Sequence, residues 1–332
     1  ESQNLSNRKS KQTLAVMELC EGVESVLCLS GTPLMNRPAD LYQTIHLLRP
    51  TLFPSFFRYG LDFCSGYRGK YGWDWSGASN LPKLHSILDT ALMVRYRKED
   101  VIDQLPSKQR TVVPIELTQR HQYVKAILDF RKWWVEHQER NNSEEAQGQI
   151  FRIKHLVGRL KLPPVLEWID DFLASSDGKL IVFGVHTDVL TTIHKHIPNS
   201  VLVDGGVTGI KRQKLVDKFQ EDPKTRVLVG QLQAAGVGLN LTAATDIAFA
   251  EIGWRPAEMV QAEDRAFARL NDLHGVNCWY LTARGTLEER LMELNQGKQE
   301  VIDTVLDGGV TENTWDLYDQ MVDQLLHGEL LT

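Results

Sequence analysis

Between residues 164 and 306 the chain repeats one pattern, a short continuous apolar run followed by a longer amphipathic stretch. The spacing predicts strands at 180 to 183, 201 to 203, 226 to 229, 246 to 250 and 277 to 281, and helices over 189 to 196, 211 to 219 and 287 to 306. Unbroken apolar strands are those buried on both faces, and strands alternating with helices specify an α/β protein with a parallel sheet. Nearer the start, Val26-Leu27-Cys28-Leu29-Ser30 reads as a short buried strand ended by Gly31-Thr32-Pro33. From Pro38, a residue suited to a first helical turn, Leu41, Ile45 and Leu48 keep helical spacing up to Arg49-Pro50. Residues 51 to 80 change character, with Phe53, Phe56, Phe57, Phe63, Tyr67, Tyr71, Trp73 and Trp75 set among Gly and Pro, and read as an irregular aromatic insertion. Residues 81 to 160 read as mostly helical, broken near Leu105-Pro106 and by a strand at 111 to 117, with Asn141-Asn142-Ser143-Glu144-Glu145 as an exposed loop. The tail after Asp307 is acidic and weakly patterned.

At 332 residues the chain has room for two domains with cores of their own. An apolar fraction of 42% and a charged fraction of 24% exclude disordered and fibrous classes. No apolar run is long enough to span a bilayer, and the polar start carries no secretory signal, so an intracellular protein is expected. It would be cytoplasmic in a bacterium or phage and nuclear in a eukaryote. Four scattered cysteines imply reduced thiols rather than a disulfide framework. A net charge of -6 restricts any nucleic-acid contact to a local basic surface. Arg95-Tyr96-Arg97-Lys98, Lys108-Gln109-Arg110 and the stretch from Lys154-His155 to Lys161 could each bind a phosphate backbone or simply be a solvated face. Trp133-Trp134 reads as core or a docking face.

In a parallel α/β sheet, ligands bind outside the carboxyl ends of the strands. Three loops at such ends carry chemistry. The first, Gln233-Ala234-Ala235-Gly236-Val237-Gly238-Leu239-Asn240-Leu241-Thr242, is small enough for a phosphate or another backbone to approach. The second runs from Glu251 through Trp254-Arg255-Pro256 to Gln261-Ala262-Glu263-Asp264-Arg265 and Arg269. On a helix, Arg265 and Arg269 would share a face, either as a fork for a transferred phosphoryl group or paired locally with Glu263 and Asp264. The third combines Gly184-Val185-His186 with Asp204-Gly205-Gly206-Val207-Thr208 and Lys211-Arg212, an edge suited to gripping phosphates or an ordinary surface loop. No metal spacing and no Ser/His/Asp arrangement is visible, and G-x-x-x-x-G-K-[ST] does not occur.

The order of these segments resembles the Swi/Snf family of superfamily-two DNA-dependent ATPases. Leu29-Ser30-Gly31-Thr32-Pro33 with Asn36 is similar to the family's third helicase motif, and Phe183 to His186 to the fourth. The segment from Asp204 to Arg212 is similar to the one that follows, Ala234 to Thr242 to the fifth, and Trp254-Arg255-Pro256 with Gln261 to Arg265 to the sixth. The stretch Tyr71-Gly72-Trp73-Asp74-Trp75-Ser76-Gly77-Ala78-Ser79-Asn80-Leu81 resembles the annealing-helicase branch, which remodels branched DNA. So does Arg95-Tyr96-Arg97-Lys98-Glu99-Asp100-Val101 together with Gln104 to Arg110. Glu1-Ser2-Gln3 resembles the end of a DExx-type box, so the chain is expected to be part of a longer protein.

The resemblance implies the end of a first RecA-like lobe over residues 1 to 50, an insertion and linker over 51 to 110, a second RecA-like lobe over 111 to 306, and a tail over 307 to 332. It implies an ATP-driven translocase on double-stranded or branched DNA. ATP and Mg2+ would be held mainly by the first RecA-like lobe of the same protein, through a phosphate loop absent here, so this chain alone is expected to lack turnover. Arg265 and Arg269 would act on the transferred phosphate, Glu1 would orient the attacking water, and Gly236, Gly238, Asn240 and Gln261 would line the nucleotide. His186, Thr208, Arg212 and Thr242 would contact DNA, with Ser30, Gly31 and Thr32 coupling the two events. One departure stands out: the family places its second arginine three residues after the first and follows it with Ile or Leu and then Gly-Gln, whereas Arg269 comes four after Arg265 and precedes Leu270-Asn271-Asp272. Either a local bulge restores the fork or Arg265 alone carries the role. A catalytically inactive binding or assembly module, or the motor of a restriction or phage-defence complex, would use the same segments.

Overall fold

The computed structural model describes residues 1–69, 72–96, 108–137, 143–235, 239–266, 275–308, 322 and 325–327. They belong to two compact units. The first is Glu1–Val101 with Arg255–Ala257 and Leu294–Leu317, and the second is Ile102–Trp254 with Glu258–Glu293 and Tyr318–Thr332.

In the first unit, Ser10 opens helix α1 (Lys11–Leu19) by accepting the Thr13 N–H at 3.1 Å. Helices α2 (Tyr42–Leu48) and α3 (Phe56–Phe63) follow, then a hairpin of β1 (Tyr67–Gly69) and β2 (Gly72–Asp74), and helix α4 (Leu81–Ala91). The aromatic insertion is therefore regular rather than irregular. Phe56, Tyr59 and Phe63 recur at helical spacing and seat α3 on a core with Leu34, Tyr42, Leu84 and Leu88. Phe53 meets Tyr59 and Phe63 edge-on, with ring centroids 5.2 and 5.5 Å apart. The Trp75 ring lies against Gly60 and Gly66 so closely that a methyl group at either would collide with it. Gly66→Ala is accordingly expected to cost about 1 to 3 kcal/mol, read as a lower melting midpoint; an unchanged midpoint would place Trp75 elsewhere.

The strand expected at 26 to 30 does not form. Leu27 and Leu29 are 82% and 67% exposed, and no described strand pairs with them. Apolar alternation makes a strand only where a neighbour supplies the ladder. Here Leu29 carbonyl accepts just the Ser2 N–H at 3.0 Å and the Glu1 ammonium at 2.8 Å.

The second unit contains β3 (Lys108–Ile115), α5 (Arg120–His137), α6 (Ser143–Leu160), α7 (Leu162–Ser175), β4 (Leu180–Gly184) and α8 (Thr187–His196). It continues with β5 (Val201–Val203), α9 (Gly209–Glu221), β6 (Val227–Gln231), α10 (Leu232–Ala235), β7 (Asp246–Phe249), α11 (Pro256–Asp264, from Glu258 on) and β8 (Val276–Ala283). Helix α12 (Leu287–Asp307) begins here, and its residues from Leu294 on belong to the first unit. Ser143, Glu144 and Glu145 open α6 instead of continuing a loop, as a Ser followed by two acidic residues suits a helix start.

Every pairing in the six-stranded sheet is parallel, in the order β3-β8-β7-β4-β6-β5. Along β4 all five residues are buried. Leu180 and Val182 pack with Val165 and Ile169 of α7 and with Val189, Leu190 and Ile193 of α8. On the other face the rings of Phe183, Phe249 and Tyr280 stack in sequence. The carboxyl ends of β4, β5, β6 and β7 thus stand on a closely packed base. Among the described residues no helix is long and apolar enough to cross a membrane.

Candidate functional site

Glu251 follows β7 and is fully buried. Its Oε2 accepts the backbone N–H groups of Val185 at 2.8 Å and His186 at 2.9 Å, and its Oε1 faces His186 Nδ1 at 2.5 Å. The carboxylate therefore closes the amino end of α8, where helix N–H groups lack internal partners. Burial alone would raise its pKa; the His186 hydrogen bond and the nearby Lys154 charge outweigh that and hold it at about 2. Two glycines make room for it. A methyl group at Gly158 would come within 2.5 Å of Oε1, and one at Gly184 within 3.0 Å of Oε2.

Lys154, on α6, is 1% exposed, and its ammonium has no hydrogen-bond partner; it lies 5.5 Å from the centre of the Trp254 ring. Burial lowers its pKa, opposed by the charges of Glu251 and Glu288. The next residue, His155, stacks on His186 at 4.2 Å between ring centres and meets Asp188 Oδ1 through Nε2 at 2.7 Å. Gln231, at the end of β6, joins two more loops, donating to Val185 carbonyl and accepting from Gly205 N–H, both at 3.1 Å. His186 and the 204 to 208 loop are thereby tied together. Thr208 is exposed at the start of α9, and Arg212 Nε bonds back to Val207 carbonyl at 3.0 Å.

Asn240, Thr242 and Arg265 also come together. Leu241 N–H donates to Arg265 carbonyl at 3.0 Å, and Gln220 amide nitrogen donates to Asn240 carbonyl at 2.9 Å and to Thr242 Oγ1 at 3.4 Å. Arg265 does not stand on a helix face as expected. Helix α11 ends at Asp264, where bonds spanning three residues instead of four, from Arg265 N–H to Ala262 carbonyl and from Ala266 N–H to Glu263 carbonyl, close its last turn. Gln261 is buried within α11. Arg269, Gly236 and Gly238 lie outside the described residues.

The first unit has its own chain of contacts. Gln3 donates to the Glu1 carboxylate, Ser30 Oγ donates to Gln3 Oε1 at 2.6 Å, and Thr32 N–H donates to Ser30 Oγ at 3.1 Å. Glu1, Ser30 and Thr32 are therefore linked through Gln3, the last residue of the DExx-like segment. Gly31 lies in open space between Ser30 and Thr32. Among the described residues, no group of three or more His, Cys, Asp or Glu could hold a metal ion.

Sequence reasoning gave no role to Gln231 or to the Glu251 carboxylate, and it read Lys154 and Lys161 as surface cations, whereas both are buried, Lys161 against Glu288. Glu251 left one signal, a carboxylate directly after a continuous apolar strand. Lys108 and Arg110 turn out to pair with Glu263, and Lys108 also with Asp264, with Lys108 mostly covered and Arg110 still half exposed.

Two family models match the chain, the SNF2-related domain over residues 1–159 and the helicase conserved C-terminal domain over residues 164–271. The chain belongs to the Swi/Snf family. A relative from Xenopus laevis, SWI/SNF-related matrix-associated actin-dependent regulator of chromatin subfamily A-like protein 1, is 36% identical over 307 residues, covering 91% of this chain and 32% of its own. DNA annealing helicase and endonuclease ZRANB3 from Mus musculus is 32% identical over 319 residues, covering 93% of this chain and 30% of its own. These relatives match the annealing-helicase branch of the Swi/Snf family. The chain spans about a third of their length. The solved C-terminal part of the Fun30 ATPase domain shares the fold, with a TM-score of 0.51 at 16% identity over 67% of this chain and 99% of that one. The six-stranded sheet with its helices accordingly has the RecA-like fold of that C-terminal part, and the helicase conserved C-terminal domain match lies within it.

Proposed function

We propose that this chain is part of an ATP-driven translocase that remodels double-stranded or branched DNA. The observation that carries the reading is the bond between Leu241 N–H and Arg265 carbonyl, which joins the fifth and sixth helicase-like segments. The names of the annealing-helicase relatives support DNA as the polymer.

Arg265, with Arg269, neutralises charge on the phosphoryl group leaving ATP, while Gly236, Gly238, Asn240 and Gln261 line the nucleotide. Glu1 orients the attacking water, and Ser30, Gly31 and Thr32 pass nucleotide state on to the DNA contacts. His186, Thr208, Arg212 and Thr242 follow the phosphate backbone, which gives little sequence preference and strong salt sensitivity. Magnesium supplies charge neutralisation when bound to ATP; no described residue group of this chain is assigned to hold it. A RecA-like lobe with a phosphate loop completes the reaction, and the division at residues 50, 110 and 306 belongs to the same reading.

The test is ATP hydrolysis by the whole gene product with no nucleic acid, duplex DNA, forked DNA, single-stranded DNA or RNA. Stimulation by duplex or forked DNA is expected. Absence of stimulation by any of them, in a protein that still binds DNA, would replace the motor with a binding module.

A further inference from the structure

Two positions before Arg265, Glu263 is fully buried and all its acceptor capacity is used. Arg110 grips it bidentately, Nε to Oε1 and Nη2 to Oε2, both at 2.7 Å. Lys108 Nζ reaches Oε2 at 3.1 Å and Tyr280 hydroxyl donates to Oε1 at 2.6 Å. Lys108 also holds the next carboxylate, Asp264 Oδ1, at 2.9 Å. These donors come from β3, the edge strand, and from its neighbour β8. Arg265 is thus fixed from both sides, by the two acidic residues before it and by its own carbonyl on Leu241 N–H. A buried charge cluster is a poor way to gain stability, because apolar residues of the same volume do as well or better. What it supplies is a fixed direction for the backbone that bears Arg265.

We propose that Glu263, gripped by Arg110 and Lys108, is a positioning residue that sets the reach of Arg265 toward the transferred phosphate. The proposal rests on the reading of Arg265 as the arginine that acts on ATP. A displacement of about 1 Å in such a group can cost about 10²-fold in rate, so the loss belongs in kcat.

The experiment measures ATP turnover of the whole gene product at saturating duplex DNA for the wild type, Glu263→Gln, Arg265→Ala and the double variant, with melting midpoints for each. Glu263→Gln is expected to lower kcat about 10- to 100-fold while KM for ATP moves less than about twofold. The double variant should turn over no more slowly than Arg265→Ala alone, since there is then no side chain left to place. Should Glu263→Gln not fold, Arg110→Lys, which keeps the charge but loses the two-point grip, and Lys108→Gln carry the same expectation with smaller losses. The assignment is overturned by unchanged kcat in a folded variant, by a rise in KM alone, or by losses that multiply in the double variant. If Arg265→Ala itself turns over like wild type, both the reading of Arg265 and this assignment fall. If Arg265→Ala is inactive while Glu263→Gln is fully active, only the positioning role does.

Discussion

Arg265→Ala in the whole gene product is expected to lower ATP turnover by about 10³-fold or more while leaving DNA affinity within about twofold. The asymmetry follows from what anchors this residue. Its backbone is held by Leu241 N–H and by the turn bonds that close α11, and neither involves the side chain. The preceding carboxylates keep Lys108, Arg110 and Tyr280 satisfied whatever stands at 265. These backbone bonds remain available when the guanidinium is removed. Turnover, duplex affinity and melting midpoint measured on one preparation decide it, and a parallel fall in all three would indicate misfolding and sink the assignment.

Glu251→Ala is expected to destabilise the second unit by about 3 to 5 kcal/mol, because two backbone N–H groups, His186 and the buried Lys154 would lose their common acceptor or counter-charge. Glu251→Gln separates charge from volume and gives the effect a pH signature. A carboxyl brought from its ordinary 4.5 to about 2 contributes stability that is fully present above pH 4.5 and disappears as pH falls toward 2. The size of that contribution is about 3 kcal/mol. The melting gap between wild type and Glu251→Gln should thus be wide at pH 7 and narrow below pH 4.5. A gap independent of pH would show that the lost stability is packing, not charge.

How much of this was legible depended on how far apart in the chain the partners lie. The strands from 180 onward were readable because a doubly covered sheet writes itself as unbroken apolar runs, and β4, β5, β7 and β8 fall within a few residues of expectation. The aromatic insertion was misread because Gly and Pro around α3 hide a helix of only eight residues. At 26 to 30 the composition was strand-like, but composition cannot supply a neighbour. The pairing of Lys108 and Arg110 was hidden since Glu263 lies 155 and 153 positions away. Arg95 is a similar case, pairing with Asp307 at 2.5 Å across 212 positions. No periodicity encodes such meetings. The helicase-like segments could be found because each is local, whereas Gln231, Lys154 and Glu251 matter only through loops brought together by the sheet.

The space around Glu251 has a consequence for lineages. Gly158 on α6 and Gly184 at the end of β4 both give way to that carboxylate, so no one of the three sites can drift freely. A descendant that acquires a side chain at 158 must first shorten or lose the acid at 251, and one that loses the acid leaves a void that larger residues at 158 and 184 are free to fill. Across diverging homologues these three positions should change as a set, with the acid and the paired glycines inherited or abandoned together.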